Sequence, residues 1–155
     1  MRALGVDYGR KRIGLALSDR TGLLARSWKA MGGAGPERSA AALAAEIEAL
    51  TAQDEGVDVV VLGLPRRLSG EPNEQTASVL ALADRLRSLV TAPVVLQDER
   101  LSSREAESLL AQREKDWRKR KARLDAAAAA VILQDYLDGQ PLGPVAPADD
   151  EGEDV

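Results

Sequence analysis

Arg2-Ala3-Leu4-Gly5-Val6-Asp7-Tyr8-Gly9 opens the chain. The apolar run reads as a short buried strand. It ends on a carboxylate and then a glycine turn. A charge at the end of a buried strand is costly unless a cation, a metal or solvent at a functional rim compensates it. Two other stretches set acids in similarly awkward places. Val94-Val95-Leu96-Gln97-Asp98-Glu99 is another apolar run ending in acids, and Asp125 stands at the start of Leu124-Asp125-Ala126-Ala127-Ala128-Ala129-Ala130-Val131-Ile132-Leu133.

Working outward, residues 12–18 form a second apolar run behind Tyr8-Gly9-Arg10-Lys11, which predicts a hairpin. A third strand is expected within 23–30, after the turn Asp19-Arg20-Thr21-Gly22. Pro36 suits the first turn of a helix, and Leu43, Ile47 and Leu50 repeat at helical spacing across 37–55. The continuous run 57–63 reads as a strand covered on both faces. Residues 64–73 read as a loop, and 74–90 as a helix with Val79, Leu82, Leu86 and Leu89 on one stripe. After the strand 94–99, Ser102-Ser103-Arg104-Glu105 is a capping box that starts another helix. The last helix is expected from about Leu124 to Asp138, ending at Gly139. This order predicts an α/β fold: a five-stranded mixed sheet, a three-strand antiparallel meander followed by parallel strands, with helices on both faces. One domain is expected over 1–139, and an acidic, Pro-rich tail over 140–155 that reads as disordered.

Composition narrows the chemistry. The chain has 155 residues and neither Cys nor His. A disulfide framework, a thiolate zinc site, a Ser-His-Asp triad and an imidazole base are all excluded. What remains for catalysis is carboxylate, Lys, Arg and Tyr. Carboxylate oxygen suits a hard cation such as Mg²⁺ or Mn²⁺. Met1 leads directly into strand-like sequence, with no signal peptide and no apolar run long enough for a bilayer. A cytoplasmic protein without a membrane partner is expected.

The net charge of −4 conceals a basic body. Five acids lie in the last seven residues, and without them 21 basic residues face 20 acidic ones. Arg113 to Arg123 holds seven basic and two acidic residues. Such a cluster points to phosphate more strongly than the total charge argues against it.

Ligands of open parallel sheets collect at the carboxyl ends of the strands, where Asp7 and the acids of 98–99 would lie. Side chains alternate along a strand, so only one of Asp98 and Glu99 can share a face with Asp7. Spacing alone leaves both open. Ala128, Ala129 and Ile132 follow Asp125 at i+3, i+4 and i+7, so Asp125 belongs to a stripe that can face the sheet. Each acid singly also reads as a turn or helix cap. Three together at element ends, in a chain without His, favour a shared metal site.

Four segments, in order, resemble the YqgF or RuvX family of ribonuclease H-like nucleases. They are Gly5-Val6-Asp7-Tyr8-Gly9 with Lys11-Arg12-Ile13-Gly14-Leu15-Ala16 and Ser18-Asp19; Gly63-Leu64-Pro65 with Gly70; Asp98-Glu99-Arg100-Leu101-Ser102; and Asp125 with Ala128-Ala129 and Ile132-Leu133. The resemblance implies a ribonuclease H-like fold. It also implies a metal-dependent nuclease whose Asp7, Glu99 and Asp125 are both catalytic and metal-holding, with Glu99 chosen over Asp98. The family is associated with maturation of the 5′ end of 16S ribosomal RNA and is similar to Holliday junction resolvases. Where the family often has an Asn-containing loop, this chain has Arg66-Arg67-Leu68-Ser69. The usual Ser-Thr is Ser102-Ser103 here. Both departures bear on substrate contacts rather than on the acids.

The expected chemistry is phosphodiester hydrolysis of structured RNA or branched DNA with Mg²⁺ or Mn²⁺. Lys11, Arg12, Arg66, Arg67, Arg100 and Ser102 are candidate phosphate contacts. Trp117-Arg118-Lys119-Arg120-Lys121 is expected as a flexible basic loop with one aromatic for stacking a base. A junction resolvase would act as a homodimer. Two rival classes remain. One is an ATP-binding kinase-like domain with Asp7 and Lys11 at the nucleotide, which needs two such domains. The other is a non-catalytic RNA-binding or transcription-associated module.

Overall fold

A computed structural model describes residues 2–9, 11–53, 56–65, 75–98 and 117–140, with the backbone alone for 117–123. Three strands come first, β1 (Ala3–Tyr8), β2 (Arg12–Ser18) and β3 (Ala25–Gly32). They are followed by α1 (Pro36–Ala52), β4 (Val59–Leu64), α2 (Thr76–Arg87), β5 (Val94–Asp98) and α3 (Trp117–Asp138). The five strands form one sheet in the order β3-β2-β1-β4-β5. β1 pairs antiparallel with β2 and β2 with β3, while β1–β4 and β4–β5 are parallel. This is the mixed sheet of a ribonuclease H-like fold. The helix expected from Ser102 lies outside the described residues, as does the tail beyond Gln140.

Alternation along the central strands sorts side chains into two cores. Leu4, Val6, Tyr8, Val60, Leu62 and Leu64 face one side, where Leu43, Ile47 and Leu50 of α1 and Val79, Leu82, Ala83 and Leu86 of α2 cover them. Ala3, Ala16, Val59 and Val61 face the other, under Ala129, Ile132, Leu133 and Leu137 of α3. The helices thus lie on both faces. Gly35 caps α1 and Pro36 fills its first turn, where a missing N–H costs nothing. α2 is shorter than its apolar stripe suggests. It ends at Arg87, and Leu89 lies beyond it, 41% exposed. Arg87 instead reaches across to β5, donating from Nη2 to the Val94 carbonyl at 2.8 Å.

α3 lies against the sheet backbone itself. A Cβ at Gly14 would overlap the Asp125 carbonyl oxygen, and one at Gly5 would stand 2.7 Å from Leu133 Cβ. Neither position has room for a side chain. At its far end α3 is tied to the β2–β3 connection. The Gln134 amide accepts from Ala25 N at 2.8 Å and donates to the Leu23 carbonyl at 2.9 Å.

That connection is organised by Asp19. Its carboxylate accepts from Thr21 Oγ1 at 2.7 Å and from the amides of Leu23 and Leu24 at 3.0 and 3.3 Å. Gly22 takes the left-handed turn position with φ 76°. The Thr21 hydroxyl and the turn amides hold the Asp19 carboxyl below its ordinary range.

Gly14→Ala is expected to destabilise the protein by about 1–3 kcal/mol through overpacking. Gly32→Ala, with nothing within 4 Å of the new methyl, should stay within about 0.5 kcal/mol. Urea unfolding midpoints test the pair. Because Asp19 titrates lower in the folded state, its contribution is present above its unfolded value and is lost as pH falls through its folded one. Asp19→Asn should therefore be less stable than the parent near neutral pH. The difference should close as the pH falls through the acid range, read as paired urea midpoints from about pH 7 to about pH 2.

Candidate active site

Asp7 is the penultimate residue of β1 and is half-buried. Its strand partner is Gly14, the residue pressed against the Asp125 carbonyl. Directly paired residues of an antiparallel ladder share a face. Asp7 therefore stands on the α3 side of the sheet, at the level where the helix backbone crosses β2. One helical turn on from Asp125, Ala129 lies over Gly5, two residues before Asp7. The structure brings Asp7 and Asp125 to one rim by two backbone registers, strand on strand and helix on strand.

β4 separates β1 from β5, so Asp7 and the end of β5 are two strands apart. Leu62 pairs with both Val6 and Leu96, and Gly63 pairs with Gln97. The row of Asp7 therefore crosses β4 at Gly63, which has no side chain to obstruct the α3 face. On β5, Val94 and Leu96 pack with the α1–α2 core, while Val95 packs with the α3 core. Asp98 is in phase with Val94 and Leu96, so it stands on the face opposite Asp7, and it is exposed. Glu99 lies outside the described residues, as do Arg66, Arg67, Arg100 and Ser102. Among the described residues no group of three acids is arranged to hold a metal. Asp7 and Asp125 are two of the three acids expected to do so.

Arg12 opens β2, two residues from Gly14. Its Nε donates to Asp125 Oδ2 at 2.6 Å, with the two side chains 37% and 25% exposed. Sequence reasoning placed Arg12 among the phosphate contacts and missed this partner. The available signal was the spacing: Arg12 and Gly14 both alternate onto the α3 face, and the resemblance already put Asp125 there. Lys11 is exposed in the hairpin turn, and its carbonyl accepts from Gly33 N at 2.8 Å. Tyr8 Oη donates to the Ala34 carbonyl at 2.5 Å, pinning the end of β1 to the segment before α1.

The expected basic loop requires correction. Trp117, Arg118, Lys119, Arg120 and Lys121 belong to α3, which is continuous from Trp117 to Asp138. Arg, Lys and Ala are strong helix formers, and no Gly or Pro interrupts the segment. Helix propensity outweighs the clustered charge in this segment. Positions 118 and 121 precede Asp125 by seven and four residues and so lie on its stripe. Eight residues before Asp125 carry the helix about 12 Å past it, at roughly 1.5 Å per residue.

Ser18 and Asp19 serve structure, not this site. They lie at the other end of β2 from Arg12. The Ser18 hydroxyl accepts from Ala3 N at 2.7 Å and donates to the Asp19 carbonyl at 3.0 Å.

Comparison with known proteins bears on family and fold. A family model described as RuvX, Holliday junction resolvase, matches residues 1–139. A protein of Desulforudis audaxviator named "Putative pre-16S rRNA nuclease" is 37% identical, covering 92% of this chain and 98% of its own. One of the same name from Anaeromyxobacter dehalogenans is 42% identical, covering 89% and 97%. Among solved structures, the fowlpox virus resolvase in complex with Holliday junction DNA superposes with a TM-score of 0.55 at 15% identity, covering 89% of this chain and 97% of that one. Thermus thermophilus RuvC with a Holliday junction substrate gives 0.50 at 16% identity, covering 88% and 93%. At those identities the likeness concerns the fold.

Proposed function

The chain belongs to the RuvX family of nucleases, and from that membership we propose that it is a divalent-metal-dependent nuclease maturing the 5′ end of precursor 16S ribosomal RNA in the cytoplasm. The observation that supports this most is the approach of Asp7 and Asp125 to one sheet rim across Gly14. The donor set suits a hard cation, being carboxylate oxygen in a chain without His or Cys. A cationic group is already drawn to it, since the Arg12 guanidinium sits on Asp125. Asp7, Glu99 and Asp125 would hold the ion. With Asp98 on the opposite face, Glu99 is the acid of this pair left for the site. When bound, Mg²⁺ or Mn²⁺ supplies an activated water and offsets charge on the scissile phosphate.

The protein's own contribution is grip and placement. Lys11, Arg12, Arg66, Arg67, Arg100 and Ser102 would hold the phosphates next to the cleaved bond. The basic turns of α3, Arg118 to Lys121, run past the rim and would hold backbone further along, with Trp117 available for a base to stack on. RNA is preferred over branched DNA because the relatives at 37–42% identity carry the ribosomal RNA name, whereas the junction-bound structures are similar only in fold.

Cleavage of a labelled precursor 16S 5′ fragment, beside a four-way DNA junction, tests the proposal in Mg²⁺ and in Mn²⁺. Asp7→Asn and Glu99→Gln should each lose about 100-fold or more in rate, while Asp98→Asn stays within about twofold. An active Asp7→Asn protein would sink the proposal. Junction cleavage without RNA cleavage would replace the substrate and call for a homodimer. Charge reversal at Arg118, Lys119 and Arg120 should weaken RNA binding. It should also flatten the slope of log affinity against log salt by about 0.7 for each phosphate no longer neutralised, measured by anisotropy.

A further inference from the structure

We infer that Arg12 is an internal counterion of the active site, occupying Asp125 until a divalent cation and a nucleic-acid phosphate arrive together. The inference rests on the reading of Asp125 as a metal-holding residue and adds a positioning role for its neighbour.

The geometry is specific. Arg12 Nε donates to Asp125 Oδ2 at 2.6 Å, a short charge-assisted contact across 113 residues of sequence. Both groups are fixed by backbone. Arg12 is held by its pairing with Gly32 on β3, and Asp125 by the contact of its carbonyl with Gly14. The fold therefore brings the two backbones within reach, and the side chains close the pair. Asp125 lies against the sheet, with its side chain 25% exposed, and partial desolvation of a carboxylate calls for a positive partner. Arg12 supplies one without any ligand.

A divalent cation needs the same carboxylate. Because the guanidinium is always charged, it cannot yield by losing a proton, so it competes by charge and by occupying Oδ2. Cation binding to the free protein is weakened accordingly. Once displaced, the guanidinium stays on the rim, at 37% exposure. There a phosphate diester, with two charged non-bridging oxygens, can replace the carboxylate as its anionic partner. Phosphate and cation then favour each other through Arg12, and linkage makes that coupling reciprocal. The site would fill with metal chiefly when substrate is present.

The test is Mn²⁺ binding by isothermal titration calorimetry to the whole protein without nucleic acid, on the parent, Arg12→Gln, Arg12→Lys and Asp125→Asn, each checked for native circular dichroism. Removing one unit charge from contact with the carboxylate is expected to tighten Mn²⁺ binding about tenfold in Arg12→Gln. Arg12→Lys, which keeps the charge, should stay close to the parent. A structural role alone would loosen the site and weaken binding. Mn²⁺ affinity unchanged or weaker in Arg12→Gln, while Asp125→Asn loses Mn²⁺, overturns the counterion role and leaves the metal reading standing. Mn²⁺ affinity unchanged in Asp125→Asn overturns both.

Discussion

The structure turns on the absence of two side chains. Gly5 and Gly14 let α3 rest on the backbone of β1 and β2, with Leu133 over one glycine and the Asp125 carbonyl over the other. Buried alanines on the helix side complete this close approach. A helix rich in alanine buries little apolar area per residue, and at roughly 25 cal/mol per Å² that area limits what it can contribute. Close approach offsets this, because dispersion falls steeply with any gap. The same packing fixes the height of Asp125 over the sheet. One packing constraint therefore sets the stability of the helix and the position of its carboxylate together.

That placement has an electrostatic consequence. A carboxylate held against the sheet, beside a second one on β1, requires positive charge nearby. The fold provides Arg12 from the first residue of β2, on the same side of the sheet as Gly14. A basic residue at that point serves the protein at rest as well as any substrate, which is why charge alone did not distinguish a phosphate contact from an ion-pair partner. Lys11, one residue earlier in the turn, is exposed.

Much of the fold was legible because it depends on period and punctuation. The apolar run that opens the chain, the continuous run 57–63 and the helical spacing of Leu43, Ile47 and Leu50 each carry their own signal. Pro36 marked the start of α1. Ends were less legible: α2 stops at Arg87 although Leu89 continues its apolar pattern, and α3 reaches back to Trp117 because helix propensity overrides charge. At the site, Asp7 and Asp125 announced themselves as charges in apolar settings. The Arg12–Asp125 pair was fainter: strand alternation sets Arg12 on the face of Gly14, but nothing local links positions 113 residues apart. The glycines were visible as turn and motif residues, but what touches them is a tertiary fact.

The face of Asp98 shows how the phase of a strand is read through the sheet. Spacing left two adjacent acids with opposite faces and no reference for the phase. The reference is hydrophobic: Val94 and Leu96 belong to the α1–α2 core, Val95 to the α3 core. Asp98 inherits the phase of the former, and Asp7 that of Ala3 under α3. Two acids two strands apart can be compared only because burial labels each strand's faces, and because parallel register carries the row from Val6 through Leu62 to Leu96. In the next row β4 carries Gly63, which has no side chain on the α3 face. Gly63 is buried there, in the row that runs from Asp7 to Gln97. A side chain at 63 would stand on the α3 face in the row between Asp7 and Gln97, whatever its effect on stability.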